Sequence, residues 1–473
     1  MIPVLTSAEM AAADAVAMRT TPQETLVERA GLAVAIAAVG MLHHVYGSTV
    51  VVICGPGSNG GDGRVAARHL AARGARIRIV DATKPMADIA GADLVIDAGF
   101  GTGLSRPFDP PTVAPGTPVL AVDLPSGVDP DTGSVSGSAL TATRTVAMAA
   151  LKRGHVLAEG ATLCGSVEVA DLGIPVRDPR VALVEDDDLD GIPSLARDDY
   201  KWRRAVVVLA GSPGMQGAAG LSCAGAFAVQ AGMVLLCAPD VPRRREGPWP
   251  EEVVRLAASA QDAPKVVLDA LGRSRALVMG PGLGRTTKIE RAIAEILRTT
   301  REPAVLDADA LHLVDPAWLA ARQNRGGSPL VLTPHDGEFT ALVGAPPGSD
   351  RIAAAERLVQ RTGCTVLLKG PTTVIATPTP VPGFPETMVV TSGSPDLGTP
   401  GSGDVLSGVI GGLLARGVPA PLAAALGAHV HGRAGAALGA ACRAGDLPDA
   451  IAAILQDRRV ARSSGRGGRS RGG

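Results

Sequence analysis

Thr399-Pro-Gly-Ser-Gly-Asp-Val-Leu-Ser-Gly408 is the stretch on which the fold of this chain turns. Gly401 and Gly403 stand just before Asp404, and Val405, Leu406, Val409, Ile410, Leu413 and Leu414 follow at helical spacing. The stretch therefore predicts a glycine-rich loop that opens a helix. Glycines in that place let backbone N–H groups crowd an anionic ligand, and the helix turns its positive dipole end the same way. A carboxylate among them would repel phosphate unless it had chemistry to perform, and a general base acting on a hydroxyl has that role. The plainer reading is a turn whose aspartate caps the helix.

Strand-like and helix-like runs alternate on either side of this loop, the pattern of parallel α/β sheets. Strands are expected at 49–54, 76–80, 94–96 and 119–122, with helices at 7–19, 22–39 and 65–72. A second series of strands is expected at 205–209, 234–236, 276–279, 304–306, 330–332 and 365–368. Between the two series, 176–203 carries the acidic run Glu185-Asp-Asp-Asp188 and then Arg197-Asp-Asp-Tyr-Lys-Trp-Arg-Arg204, and it reads as an interdomain segment.

The length of 473 residues calls for two or three cores, and with 2% aromatic residues these must be packed with Ala, Val and Leu. A net charge of -1 gives no electrostatic case for nucleic acid or an anionic membrane. The cysteines at 54, 164, 223, 237, 364 and 442 form no C-x-x-C pair, which argues for a reducing compartment without a zinc cluster or disulfide framework. No signal-like start and no uncharged apolar run of bilayer length is seen, so a soluble cytoplasmic protein is expected.

Gly55-Pro-Gly-Ser-Asn-Gly60 matches a dinucleotide fingerprint after a strand, with Asp81 at the end of the next one. The match is weak, because Asn59 and Asp62 put polar side chains where a pyrophosphate should meet bare backbone. Other strand ends carry Asp97, before Gly99-Phe-Gly-Thr-Gly103, and Asp123, before Pro125-Ser126-Gly127. Ligands bind at the carboxyl ends of strands in open parallel sheets, so Asn59, Asp97 and Ser126 are expected to converge there. Oxygen ligands without His or Cys suit an alkali or alkaline-earth cation, which leaves Asp123 free for acid–base work. Each of these aspartates, taken singly, could also be a strand terminator or helix cap.

These three motifs, in this order, together with Leu5-Thr6 and Glu28-Arg-Ala-Gly31, resemble the NAD(P)H-hydrate epimerase domain over roughly residues 1–175. The resemblance implies that Asn59, Asp97 and Ser126 bind potassium. It implies that Ser58, Asn59, Gly60, Gly61 and Asp62, then Gly101, Thr102, Gly103, Leu104, Ser105, Arg106 and Pro107, and Asp123 contact the hydrated nucleotide. Asp123 would be the acid/base and Lys152 its electrostatic partner. One relative of this fold is a binding module in RNA turnover, but the intact Asp123 and glycine set favour catalysis.

The second half places loops after its strands: Gly211-Ser-Pro-Gly-Met-Gln-Gly-Ala-Ala-Gly220, Gly280-Pro-Gly-Leu-Gly284, Thr333-Pro-His-Asp-Gly-Glu338 and Lys369-Gly-Pro-Thr-Thr373. The last reads as a phosphate clamp, with one cation, backbone N–H groups and two hydroxyls. His429 and His431, two positions apart, share no helix face and read as structural. The set resembles the ribokinase-like fold, and within it the ADP/ATP-dependent NAD(P)H-hydrate dehydratases, over about 198–455. That resemblance implies that Ala218, Gly282, His335 and Asp404 line the hydrate site. It further implies that Lys369, Gly370, Pro371, Thr372, Thr373 and Gly403 hold the ADP or ATP phosphates, with Mg²⁺. The chain departs from the family in carrying Asp199-Tyr-Lys-Trp-Arg203 where a His-Lys-Gly start is usual, and Pro400, which has no N–H, where glycine is usual.

The expected architecture is α/β: a Rossmann-like three-layer parallel-sheet domain over 1–190, a ribokinase-like α/β domain over 198–460, and a disordered Arg/Gly/Ser tail over 461–473. The expected function is repair of hydrated NADH and NADPH, with R and S forms interconverted by the first half. The second half would dehydrate the S form at the expense of ADP or ATP. A homo-oligomer acting on small molecules, with neither nucleic acid nor membrane as partner, is expected. Two alternatives stay open on sequence: a small-molecule kinase of the hydroxymethylpyrimidine or hydroxyethylthiazole type, and a non-enzymatic nucleotide-binding scaffold.

Overall fold

Helix Ser402–Ala415 begins inside the glycine-rich decapeptide, and Val405 to Ala415 are all buried, as in a helix at the centre of a core. Its N-cap, Gly401, has a φ of 92°, and a Cβ there would strike Leu221. The computed structural model describes residues 1–101, 107–242 and 247–467, with side chains to 460. The chain divides into two compact units, Ile2–Ala182 and Leu183–Gly473.

The first unit runs β1 (Ile2–Leu5), α1 (Ser7–Ala17), α2 (Gln23–Met41), β2 (Thr49–Cys54), α3 (Ser58–Ala72), β3 (Arg76–Asp81) and β4 (Leu94–Ala98). It continues with β5 (Val119–Val122), β6 (Arg144–Met148), β7 (Leu151–Lys152), α4 (Gly160–Leu163) and β8 (Ser166–Ala170). Six strands form one sheet in the order β3-β2-β4-β5-β6-β8, every pair parallel. Alternation along β2 sends Val50, Val52 and Cys54 to the core beneath α2 and α3, and Val51 and Ile53 to the opposite face, against Ala82 and Ile89. Both faces are thus covered, and the free edges of interest are the carboxyl ends of β2, β4 and β5.

In the second unit β9 (Val181–Leu183) lies at the boundary and is followed by β10 (Ala205–Leu209), α5 (Gln216–Ala228), β11 (Met233–Cys237), β12 (Val254–Leu256) and α6 (Ala263–Leu271). Next come β13 (Ala276–Met279), α7 (Thr287–Thr299), β14 (Ala304–Leu306), α8 (Asp309–His312), α9 (Pro316–Asn324) and β15 (Leu330–Leu332). The unit closes with α10 (Asp336–Val343), α11 (Arg351–Thr362), β16 (Thr365–Leu368), β17 (Thr373–Ala376), β18 (Thr387–Val390), α12 (Ser402–Ala415), α13 (Ala420–Leu438) and α14 (Leu447–Gly467). Strand order is β12-β11-β10-β13-β14-β15-β16-β17-β18, parallel as far as β16 and antiparallel across the last two pairs. With few aromatic residues the core closes by near contact of backbones. A Cβ on Gly408 of α12 would stand 1.9 Å from the Ser222 carbonyl of α5, so only glycine lets these helices approach.

The division at Ala182 falls within the segment read as interdomain, and its acidic run belongs to the second unit. Val184 donates to Val389 O, Leu189 and Ile192 enter the second core, and Asp186 pairs with His429 at 2.9 Å. Asp199 pairs with Arg204 at 2.9 Å and Arg273 covers the Trp202 ring, which fixes the approach to β10. Helix α14 continues to Gly467, beyond the 460 boundary expected from composition, because Ala461 and Arg462 propagate a turn already formed. No helix among the described residues is long and apolar enough to cross a membrane. The six cysteines are all free and buried.

Candidate functional site

Each unit gathers polar side chains at the carboxyl ends of its strands, and the first does so after β2, β4 and β5. Asp123 follows β5 with a φ of 67°, a left-handed conformation that Asp tolerates better than most residues and that turns its carboxylate toward β6 and β7. Its Oδ1 accepts from Met148 N at 3.0 Å and from Lys152 Nζ at 2.5 Å. Lys152 is 1% exposed, and its ammonium also donates to the carbonyls of Met148 and Ala150. His155 completes the group. Its Nδ1 accepts from Lys152 N at 2.8 Å, so Nε2 carries the proton and donates to the Asp123 carbonyl at 2.5 Å. Burial pushes the His155 imidazole down to about 4, which keeps it neutral and structural.

Asp97 lies at the end of β4, fully buried. Ser126 N donates to its Oδ2 at 2.8 Å, Ser126 Oγ to its Oδ1 at 2.6 Å, and Gly99 N to the same Oδ1 at 3.2 Å. Burial raises its carboxyl above the ordinary range, although those hydrogen bonds pull the other way. Among the described residues no cationic side chain pairs with it. Asn59 donates through Nδ2 to Val122 O at 2.8 Å, which leaves its Oδ1 open. Gly101 lies against that amide, since a Cβ there would come within 2.6 Å of Asn59 Oδ1. The 99–101 loop lies against Ser126 and Asp97 at Gly99 and against Asn59 at Gly101.

Ser58 to Asp62 form the first turn of α3, with Gly57 as N-cap and no side chain capping it. Pro107 is exposed, whereas Thr102, Gly103, Leu104, Ser105 and Arg106 lie outside the described residues. Asp81 is engaged locally, accepting from Thr83 N and Oγ on the edge strand, so the fingerprint reading finds no cofactor carboxylate there. Two residues were missed. His155 stands one position beyond the Leu151-Lys-Arg-Gly154 motif, and Asp14 of α1 feels both Lys152 and Asp123 with a carboxyl raised by burial. Nothing local marks Asp14, because only the tertiary fold brings α1 to this place.

The second unit holds a cavity of about 700 Å³. His335, Lys369, Gly370, Pro371, Thr373, Gly403 and Asp404 line it, as do Asp307, Glu338 and His431. Thr372 is not part of the wall, and neither are Ala218 and Gly282. Those two lie against each other instead: a Cβ on Gly282 would stand 3.0 Å from Ala218 Cβ. Pro400 is absent from the wall, while Thr399 and Gly401 on either side belong to it.

Lys369 is held by two carboxylates, Asp307 at 2.9 Å and Glu338 at 3.7 Å. Burial opposes its charge, but Asp307 and Glu338 outweigh that and raise the ammonium above its usual range. Asp307 is likewise penalised by burial, yet Lys369 and the hydroxyl of Ser407, 2.5 Å away, hold it below the ordinary carboxylate range. Burial first, then the neighbouring Asp307, lifts the Asp404 carboxyl to about 7, although the Lys369 ammonium pulls the other way. A base that changes protonation near neutrality is suited to take a proton from a hydroxyl. Ala308, directly after Asp307, sits at a φ of 48° on the cavity wall, a strained backbone of the kind found at functional sites.

The loops are braced from outside. Arg351 donates to the carbonyls of Lys369 and Thr372 and pairs with Asp336 at 2.9 Å, so it fixes the 369–372 turn. His335 caps α10, its Nδ1 accepting from Gly337 N at 3.0 Å and Glu338 N at 3.3 Å, while Glu338 returns to His335 N. His431 donates to Ser402 O at 3.0 Å, with its imidazole pushed down to about 4 by burial. It thus anchors the glycine loop, while His429 turns the other way to Asp186. Asp307 and Glu338 had a readable signal. Asp307 ends a strand as Asp97 does, and Glu338 stands in the capping-box spacing after His335.

Comparison with known proteins agrees with this division. The family model for NAD(P)H-hydrate dehydratase matches residues 206–457, and that for the YjeF-related protein N-terminus matches 23–90 and 80–154. A bifunctional NAD(P)H-hydrate repair enzyme from Moorella thermoacetica is 33% identical, covering 96% of this chain and 97% of that protein. The one from Mycobacterium leprae is 36% identical over 95% and 97%, and that from Mycobacterium tuberculosis 38% over 88% and 89%. A ribokinase-like superfamily protein from Enterococcus faecalis superposes with a TM-score of 0.50 at 22% identity, covering 60% of this chain and 98% of its own, which supports the fold of the second unit. This chain belongs to the bifunctional NAD(P)H-hydrate repair enzymes.

Proposed function

We propose that the first unit interconverts the R and S hydrates of NADH and NADPH at Asp123, and that the second dehydrates the S form at Asp404, using ADP or ATP. The observation that carries the reading is the second cavity. It places a carboxyl with a pKa of about 7 at the start of a glycine-opened helix, beside Lys369, in a space of about 700 Å³. In the first turn of α12 the N–H groups have no earlier carbonyl of the helix to bond, so they suit phosphate oxygens.

The chemistry follows from leaving groups. Hydroxide leaves poorly and phosphate leaves well. Asp404 takes the proton of the ring hydroxyl, whose oxygen attacks the terminal phosphoryl of the nucleotide. The bond from that phosphorus to the bridging oxygen breaks, so that AMP leaves from ADP, or ADP from ATP, with the electron pair. The ring nitrogen then expels phosphate, and loss of the neighbouring ring proton restores the dihydropyridine. Lys369 and the residues from Gly370 to Thr373, with Gly403, hold the phosphates. Ala218 and Gly282 adjoin this site through the loops after β10 and β13 and belong to the hydrate side.

Among the described residues no three carboxylate, histidine or cysteine side chains converge as a cage for a metal. Mg²⁺ is commonly held by one or two carboxylates together with substrate phosphates, and Asp307 and Glu338 on the cavity wall fit that partial set. Bound there, the ion would offset charge on the transferring phosphoryl. The first unit fits potassium in the same sense. A fully buried carboxylate without a cationic partner, a serine hydroxyl and an open amide oxygen are hard donors for a monovalent ion, held by Asn59, Asp97 and Ser126. When bound, the ion would supply the positive charge that Asp97 lacks.

Charge is therefore the quantity to remove. Asp97→Asn keeps the size of the side chain and is expected to raise the potassium concentration for half-maximal epimerisation at least tenfold, read by chiral separation of the hydrates during a KCl titration. An unchanged potassium dependence would show that Asp97 serves the fold alone.

The cytoplasmic assignment rests on six buried, unpaired thiols. A homo-oligomer is supported by Val16, Met18, Leu32 and Ile36, large apolar side chains exposed in and beside the first two helices. The activity itself is tested by adding hydrated NADH and ADP or ATP to the protein and following the return of dihydronicotinamide absorbance. A stable phosphorylated product with no absorbance gain would point to a kinase instead.

A further inference from the structure

Among the described residues Asp62 is a carboxyl with no partner. It is 5% exposed in the first turn of α3, and among the described residues neither a hydrogen bond nor an ion pair reaches its oxygens. Buried carboxyls are ordinarily paired, and an unpaired one is costly to keep unless it works. Its direction is set by Asn59. Residues three apart share a helix face, and Asn59 donates to Val122 O at 2.8 Å, the carbonyl just before Asp123. Asp62 therefore faces the strand end that carries Asp123, and the two carboxyls feel each other's charge.

We propose that Asp62 is a second proton-transfer residue of the first site, working as a pair with Asp123 on the hydrate's hydroxyl-bearing carbon. The proposal rests on the epimerase reading of this unit and deepens it. Inverting that carbon requires its C–O bond to break and to form again on the other face. Asp62 gives its proton to the hydroxyl, the C–O bond breaks with both electrons going to the departing water, and the ring nitrogen lone pair forms a C=N bond. Water then adds to the opposite face, the C=N electrons return to nitrogen, and Asp123 takes the proton lost by the incoming water. One proton enters from Asp62 and one leaves to Asp123, so the opposite direction runs with the roles exchanged.

The surroundings separate the two carboxyls. Asp123 has the Lys152 ammonium at 2.5 Å, the neutral His155 on its carbonyl, and Asp14 nearby from α1. Among the described residues no cation pairs with Asp62. On its own helix Arg64 donates to Gly55 O and Arg68 and His69 are taken by Glu28 of α2, so among the described residues the charge that acts on it is that of Asp123. Burial, then Asp123, lifts the Asp62 carboxyl to about 8, so at neutral pH it still holds the proton it must give. A carboxyl raised in this way, beside one paired with an ammonium, suits a division into acid and base.

The test measures R-to-S conversion by the full chain without ADP or ATP, so that the second unit is idle. Wild-type turnover is expected to fall as pH rises through about 8, where Asp62 loses its proton. Asp62→Asn is expected to lower kcat at least 100-fold with KM within threefold and to abolish that alkaline limb, while Asp62→Glu recovers part of the rate. Turnover within threefold of wild type in Asp62→Asn, or an unchanged alkaline limb, overturns the proposal. If Asp62→Asn fails to unfold cooperatively, Asp62→Glu decides: a displaced alkaline limb supports the role, and an identical one overturns it. A wild type that does not interconvert the hydrates would instead remove the epimerase reading itself.

Discussion

Asp404→Asn is expected to lower dehydration of the S hydrate by about two to four orders of magnitude, the usual contribution of a positioned general base, while ADP or ATP still binds. The amide keeps the shape of the side chain at the start of α12 and removes only its ability to accept a proton. In the proposed reading nucleotide affinity depends on other groups of the cavity wall, namely the backbone of the glycine loop and Lys369. The expected signature is therefore a collapse in kcat with nucleotide Kd within about threefold, by rapid-mixing absorbance and calorimetry. Because a base must be ionised, wild-type kcat/KM should rise with pH and level off above about 7. Near-normal turnover in Asp404→Asn would assign the base elsewhere in the cavity.

The strands that form the two sheets were largely legible because they are short apolar runs closed by glycine or aspartate. Thr49–Cys54, Val119–Val122, Ala205–Leu209 and Ala276–Met279 begin and end where the pattern puts them. Strands β1 and β7 were not, and for a physical reason: β7 has two residues and β1 contains a proline, so neither carries a period of its own. β17 starts at Thr373, inside the loop read as a phosphate clamp, and its pairing with β18 is set by tertiary contact.

The sites show the same division. Asn59, Gly101, Ser126, Gly401 and Asp404 are visible in sequence because a local backbone requirement accompanies each. Asp307, Glu338, His431 and Asp14 come from separate elements, and no spacing along the chain links them. Lys369 reads as the one cation of a phosphate clamp, and its charge is also matched by Asp307 and Glu338. Its neighbours therefore decide how much of that charge is left for phosphate, which composition cannot show. Arg351 is the clearest case of an unreadable residue. It braces the 369–372 turn from α11, yet in sequence it is one arginine among many at a helix start.

Asp123→Asn should separate the two activities. An aspartate that ends a strand is ordinarily replaceable without cost to a core. The structure corrects this: Asp123 is the counter-ion of Lys152, 1% exposed, and deleting one member of such a buried pair costs about 3–5 kcal/mol. Alanine would therefore confuse lost chemistry with a weakened first unit. Asparagine lessens that, because it tolerates the left-handed φ of 67° and its amide oxygen can still accept from Met148 N and Lys152 Nζ, although the ammonium loses its counter-ion, so cooperative unfolding of the variant is measured alongside. What it cannot do is exchange a proton. The second unit has its own core and its own cavity, so S-hydrate dehydration by this variant is expected within about twofold of wild type. Given a mixture of both hydrates with ATP, the variant should consume the S form quickly and then slow to the spontaneous rate of epimerisation, about 100-fold or more below wild type. Wild type should consume both in a single phase. A single phase in the variant as well would free Asp123 of the acid–base role and place the epimerisation chemistry on other residues of the first unit.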